Sequence, residues 1–118
     1  MSFNIYDLAA NEYAVLKVPH PVTKVPTGAT VKVAGPASSE YEAQKTRLGE
    51  MLKQGEVTQA QALAENTRFL AGCIVGWEGM GVPFSPEEAL KLLENKKMYP
   101  FKSWLDTELT NVANFIEA

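Results

Sequence analysis

The hydrophobic period of this chain changes once, at about residue 36, and that change constrains the fold more than any other feature. From Tyr13 to Ala34 the residues are β-branched and punctuated by proline, in the order AVLKV, PHP, VTKV, PTGA and TVKV. Val15, Val31 and Val33 fit a two-residue repeat, Lys17, Thr30 and Lys32 are free to face water, and Pro26 and Gly28 supply a turn between strands. Because Pro19, Pro21 and Pro26 have no N–H to donate, the strands should be short, bulged or at a sheet edge. A small antiparallel sheet of two or three strands is expected over residues 13–35.

Beyond GPASS the period becomes helical. Ser39 with Glu42 reads as a capping box, in which each side chain satisfies an orphan backbone donor, and opens a helix from about Glu40 to Gln54 with Tyr41, Leu48, Met51 and Leu52 on its apolar stripe and Gly55 ending it. Thr58 and Gln61 repeat the box. The second helix then runs through QAQALAENTRFLAGCIVGW, apolar nearly all round from Phe69 onward, as a core helix should be. A third, PEEALKLLEN, turns Ala89, Leu92 and Leu93 inward. A fourth begins near Pro100 and carries Phe101, Leu105, Leu109, Val112 and Ile116 on one face. The expected fold class is α+β, one domain over 1–118, with a leading segment 1–12, the sheet region, and a helical region 39–116.

Composition narrows the function. A chain of 118 residues is long enough to bury roughly two thirds of its unfolded surface around one core. A formal charge of −3 offers no basic footprint, so nucleic acid and anionic lipid are not expected partners. The longest uncharged apolar stretch, FLAGCIVGW, is far short of the ~20 residues of a membrane span. The start MSFNIYDLAANEY lacks a basic region and a long apolar run, so it does not read as a secretory signal. With Cys73 as the single cysteine, no internal disulfide can form, and residence in a reducing cytoplasm is expected.

The residues that could carry chemistry point away from it. Gly76, Gly79 and Gly81 fall within six positions and precede a helix, which raises the question of a phosphate loop. A phosphate loop follows a strand, whereas these glycines are expected to follow a helix. Ser85 can occupy the N-cap, Pro86 the first helical position, and Glu87 and Glu88 put two negative charges at the positive end of the helix dipole. With no Lys or Arg between Arg68 and Lys91, a nucleotide's charge has no counterpart there. His20, the only histidine, sits between two prolines on an expected turn, which excludes His-pair metal sites. Cys73 among apolar neighbours should be an inert, buried thiol. No catalytic, cofactor-binding or metal-ligating residue is assigned.

The aromatics are the remaining signal. Trp77, Phe84, Tyr99, Phe101, Trp104 and Phe115 all lie in the last 42 residues of the chain. Most should be core, and Trp77 and Phe84 bracket the glycine corner as packing residues. Trp104 with Met80, Met98 and Tyr99 is more apolar surface than a small domain must keep inside, and aromatic and Met side chains are enriched at interface cores.

Three stretches together resemble the tail assembly chaperones of long-tailed bacteriophages and prophages. TVKVAGPASSEYEAQKTRL is similar to their strand, Gly-Pro or Gly-Lys step and Ser-x-x-Tyr helix start. FLAGCIVGWEGMGVPFSPEEALKLLE is similar to their apolar helix ending in Gly-Trp, short loop, Pro-Phe-Ser and acidic-started helix. NVANFIEA is similar to their Asn-Phe ending. The resemblance runs from about Tyr13 to Ala118; the Pro-His-Pro of the first third departs from the pattern. It implies a non-enzymatic protein of the host bacterial cytoplasm, absent from the mature virion, that binds the tape measure protein and keeps it soluble until tail tube subunits polymerise around it. It further implies homo-oligomerisation, with the major tail tube protein as an additional candidate partner. Met80, Met98, Tyr99, Trp104 and Phe115 are the interface candidates. A minor structural tail or head–tail component of the virion is the alternative, and a phage-encoded regulator of a host protein a third class.

Overall fold

The computed structural model describes residues 4–116. In chain order the elements are β1 (Tyr13–Pro19), β2 (Pro26–Ala34), α1 (Ser39–Leu52), α2 (Gln59–Cys73), β3 (Ile74–Glu78), α3 (Pro86–Glu94) and α4 (Tyr99–Leu109), with 3-10 turns at Ile5–Leu8, Lys96–Met98 and Val112–Phe115. The fold is α+β: a three-stranded antiparallel sheet in the order β1-β2-β3 together with four helices.

The sheet has one wet and one dry face. Leu16 lies opposite Val31, and both are buried; Val15 lies opposite Lys32 and is 65% exposed. The inward residue of β1 is therefore Leu16, not Val15. Because strand side chains alternate, Val15 shares its face with Lys17, and the register that hides Leu16 sends both to water. The prolines act as expected: β1 pairs regularly to Lys17, and the register then shifts before the pairing of Pro19 with Pro26 at the hairpin end.

The third strand comes from inside the helical region. Periodicity alone continues the second helix to Trp77, but α2 stops at Cys73 and Ile74–Glu78 pairs with β2. A short apolar run does not distinguish helix from strand by its pattern. Here Ile74 and Val75 favour strand, Gly76 weakens helix, and the open edge of β2 offers backbone partners.

Capping fixes where the helices start. The Ser38 hydroxyl accepts the Tyr41 N–H at 3.1 Å and donates to the Gly35 carbonyl at 2.6 Å, so the cap of α1 is Ser38 and not Ser39. Ser38 is buried and Ser39 exposed, and only the buried hydroxyl faces both backbone groups. α1 ends at Leu52, one turn before Gly55. Thr58 and Gln61 form the full reciprocal box at the start of α2. Ser85 caps α3 by accepting the Glu88 N–H at 3.0 Å, with Pro86 in the first turn.

The core joins Leu16, Val31 and Val33 of the sheet to Leu70 and Cys73 of α2, Ala89 and Leu93 of α3, and Phe101, Leu105 and Leu109 of α4. Phe115 closes it from the last 3-10 turn. The α4 stripe does not continue past Leu109. Thr110 turns its hydroxyl onto the Asp106 and Thr107 carbonyls, Asn111 caps a new turn through the Ala113 N–H, and the phase is lost. Val112 is consequently 62% exposed while Phe115 is 1% exposed.

The radius of gyration, 15.7 Å, exceeds the ~13.5 Å of a near-spherical domain of this length. The excess is an arm. No residue of α1 is fully buried, and α1 leans on α2 through the edge-to-face pair Tyr41–Phe69, with centroids 5.0 Å apart, and the Arg47–Glu65 ion pair. At the far end of the arm Leu52 and Leu63 are exposed.

A candidate docking groove between the hairpin end and α4

Two distant parts of the chain meet to form a concave apolar surface. One wall is the tip of the β1–β2 hairpin, with Val18, Pro19, Pro21, Lys24 and Thr27; the other is the turn into α4, with Lys97, Met98, Tyr99 and Pro100, followed by Trp104 on the first turns of the helix. The space between them is about 570 Å³, within the ~300–1,000 Å³ typical of sites that enclose most of a small ligand or a few peptide side chains.

Each wall is held by local chemistry. In the hairpin, the His20 N–H donates to the Val25 carbonyl at 2.8 Å and the Lys24 N–H to the His20 carbonyl at 2.9 Å. The His20 ring closes the turn: its Nδ1 accepts the N–H groups of Val22 and Thr23 at 3.1 and 3.3 Å. Lys24 takes a φ of 64°, the left-handed conformation that tightens this corner, and its ammonium donates to the Pro21 carbonyl at 3.0 Å. On the opposite wall, Asn95 accepts the Lys97 N–H at 3.0 Å and so starts the turn that presents Met98 and Tyr99. α4 itself is seated by Phe101 and Leu105 in the core and by the Lys102 ammonium, which donates to Thr67 Oγ1 on α2 at 2.7 Å. Trp104 rests against Phe101 with centroids 5.7 Å apart.

Of the interface candidates, the structure brings Met98, Tyr99 and Trp104 together in this groove. Tyr99 is 73% exposed, the largest exposure of an aromatic among the described residues outside the Ile5–Leu8 turn. Met80 is half-buried against the core and does not line the groove. Phe115 cannot present a surface. Its ring is packed against Gly35, so it belongs to the interior rather than to an interface. The hairpin wall was not visible in the sequence; its one hint was the Pro-His-Pro between the two strand segments.

The glycine corner is a closed turn. Gly79 and Gly81 have φ of 71° and 83°, a conformation favourable to glycine, and a side chain on Gly79 would meet the Gly28 carbonyl oxygen at 3.1 Å. Trp77 and Phe84 stack edge-to-face at 5.2 Å, and the Trp77 indole N–H donates to the Val82 carbonyl at 2.8 Å. Gly79 and Gly81 follow the strand β3, not a helix as expected, so their place in the topology does not distinguish this corner from a phosphate loop. Its capping and charge do: Ser85 already takes the Glu88 N–H, Pro86 has none, and Glu87 and Glu88 would repel an anion.

Among the described residues, no group of three or more His, Cys, Asp or Glu side chains is placed to hold a metal ion. Burial pushes the Cys73 thiol up to about 12, so at neutral pH it carries almost no thiolate. His20 is on the surface of the hairpin and Cys73 is in the core at the end of α2. Also among the described residues, no helix is long and apolar enough to cross a membrane. Compared with protein-family models, with curated proteins and with solved structures, the chain gave no match.

Proposed function

We propose that the chain is a tail assembly chaperone that binds the tape measure protein of its phage and holds it soluble for tail tube polymerisation, without catalysing a reaction. The observation that carries this reading is the groove in which Met98, Tyr99 and Trp104 converge beside Pro19 and Pro21. Met and aromatic side chains make large apolar contacts with little specificity of shape, which suits a surface that must cover many related segments of one long client. Exposing such a patch on a small domain is otherwise a liability. The resemblance of the three sequence stretches supplies the identity of the client. Homo-oligomerisation, action in the host cytoplasm, absence from the finished virion and a contact with the major tail tube protein belong to the same reading.

Co-expression tests it. The tape measure protein should be soluble with this chain and aggregate without it. Equal solubility in both cases rules the reading out, and recovery of the chain in purified particles would favour a structural component instead.

A further inference from the structure

The groove is charged on one side of the scale only. Among its described lining residues the two that carry charge at neutral pH are Lys24 and Lys97, one on each wall, and none is Asp or Glu, although the chain as a whole carries a net charge of −3. The Lys24 ammonium is fixed at the rim by the Pro21 carbonyl, which uses one of its three donors and leaves two for a ligand. The N-terminus of α4 opens on the same groove. Met98 and Tyr99 reach the groove from the 3-10 turn that Asn95 caps and that leads directly into α4. Two cations, one on each wall, thus flank an apolar floor.

We infer that the groove takes protein segments in which apolar side chains are flanked by Asp or Glu: the apolar anchors rest on Trp104, Met98 and the two prolines, and the flanking carboxylates meet Lys24 and Lys97. The inference rests on the reading of the groove as a client-docking surface and adds the chemistry by which clients are chosen. Two lysines are fewer than the clusters of roughly four to eight cations that recognise anionic lipid, so the occupant is a polypeptide and not a membrane surface.

The test uses two synthetic amphipathic peptides with the same Leu and Phe positions, one flanked by Glu and one by Lys, titrated calorimetrically into the full chain. The Glu-flanked peptide should bind about tenfold more tightly at low salt, and the preference should shrink as salt screens the rim charges. In the Lys24→Gln/Lys97→Gln variant the preference should vanish while the thermal midpoint stays near that of the parent, because both lysines are exposed. Equal binding of the two peptides, binding of neither, a preference that survives in the variant, or uptake by phosphatidylserine vesicles in place of peptide would each overturn it. The variant also separates the two readings. If it still keeps the tape measure protein soluble as well as the parent does, the charge inference fails and the chaperone reading survives. If the parent itself leaves the client insoluble, the chaperone reading fails, and the peptides still decide the chemistry of the groove.

Discussion

The ring of Phe115 occupies the space that a side chain on Gly35 would need: a Cβ at that glycine would stand 2.5 Å from Phe115 Cε1. The residue that begins the connection from β2 to α1 and the aromatic near the end of the chain are therefore fitted to each other. In this fold the Gly-Pro step and the Asn-Phe ending are two halves of one packing contact.

Gly35→Ala should destabilise the protein by about 1–3 kcal/mol through overpacking, and Phe115→Ala by about 3–5 kcal/mol through the cavity it leaves. Urea unfolding measures both. Their effects should be strongly non-additive, because the alanine at 35 fits once the ring is gone.

How much of this was legible in the sequence depended on distance along the chain. Thr58 with Gln61, and Ser85 before Pro86, Glu87 and Glu88, are complete local signals, and each cap stands where the sequence puts it. The α1 cap slipped by one residue because Ser38 and Ser39 are equivalent until burial and the Gly35 carbonyl distinguish them. β3 depended on an open edge some forty residues earlier, which periodicity does not see. The groove depended on bringing residues near 20 and near 100 together, so its aromatic wall was legible and its hairpin wall was not.

The two serines should differ sharply on substitution. Ser38→Ala removes a cap and an acceptor-matched buried hydroxyl and should cost about 1–2 kcal/mol. Ser39→Ala should change stability by less than about 0.5 kcal/mol. Thermal or chemical denaturation of the two single variants checks the order.

Tyr13 and Glu40 join the sheet to α1. The Tyr13 hydroxyl reaches both carboxylate oxygens, at 2.7 and 2.9 Å. This hydrogen bond holds the Glu40 carboxyl below its ordinary value, helped by the Ser39 hydroxyl, and raises the Tyr13 phenol above its own. A depressed carboxylate contributes stability above its unfolded-state value and loses it as pH falls through the folded one; a raised phenol loses its contribution as pH climbs through its folded value. Tyr13→Phe should therefore move the Glu40 titration upward, toward that of an ordinary glutamate, in carboxyl-carbon NMR. An unmoved titration would show that the bond is absent in solution.

Cys73 should resist alkylation in the folded protein. With its thiol pushed from 9.0 up to about 12, the thiolate fraction near neutral pH falls about 1,000-fold, and burial blocks access as well. Iodoacetamide labelling followed by mass spectrometry should show modification only after unfolding. Rapid labelling of the native chain would place the residue outside the core.

The groove is the surface proposed to cover a client, and Tyr99, largely exposed, is the residue whose replacement tests this with least disturbance to the fold. Tyr99→Ser, combined with Trp104→Ser in a second variant, should retain the circular dichroism spectrum of the parent yet lower the soluble yield of a co-expressed tape measure protein several-fold, with the double variant the lower. A correctly folded double variant that keeps the client as soluble as the parent does would contradict it.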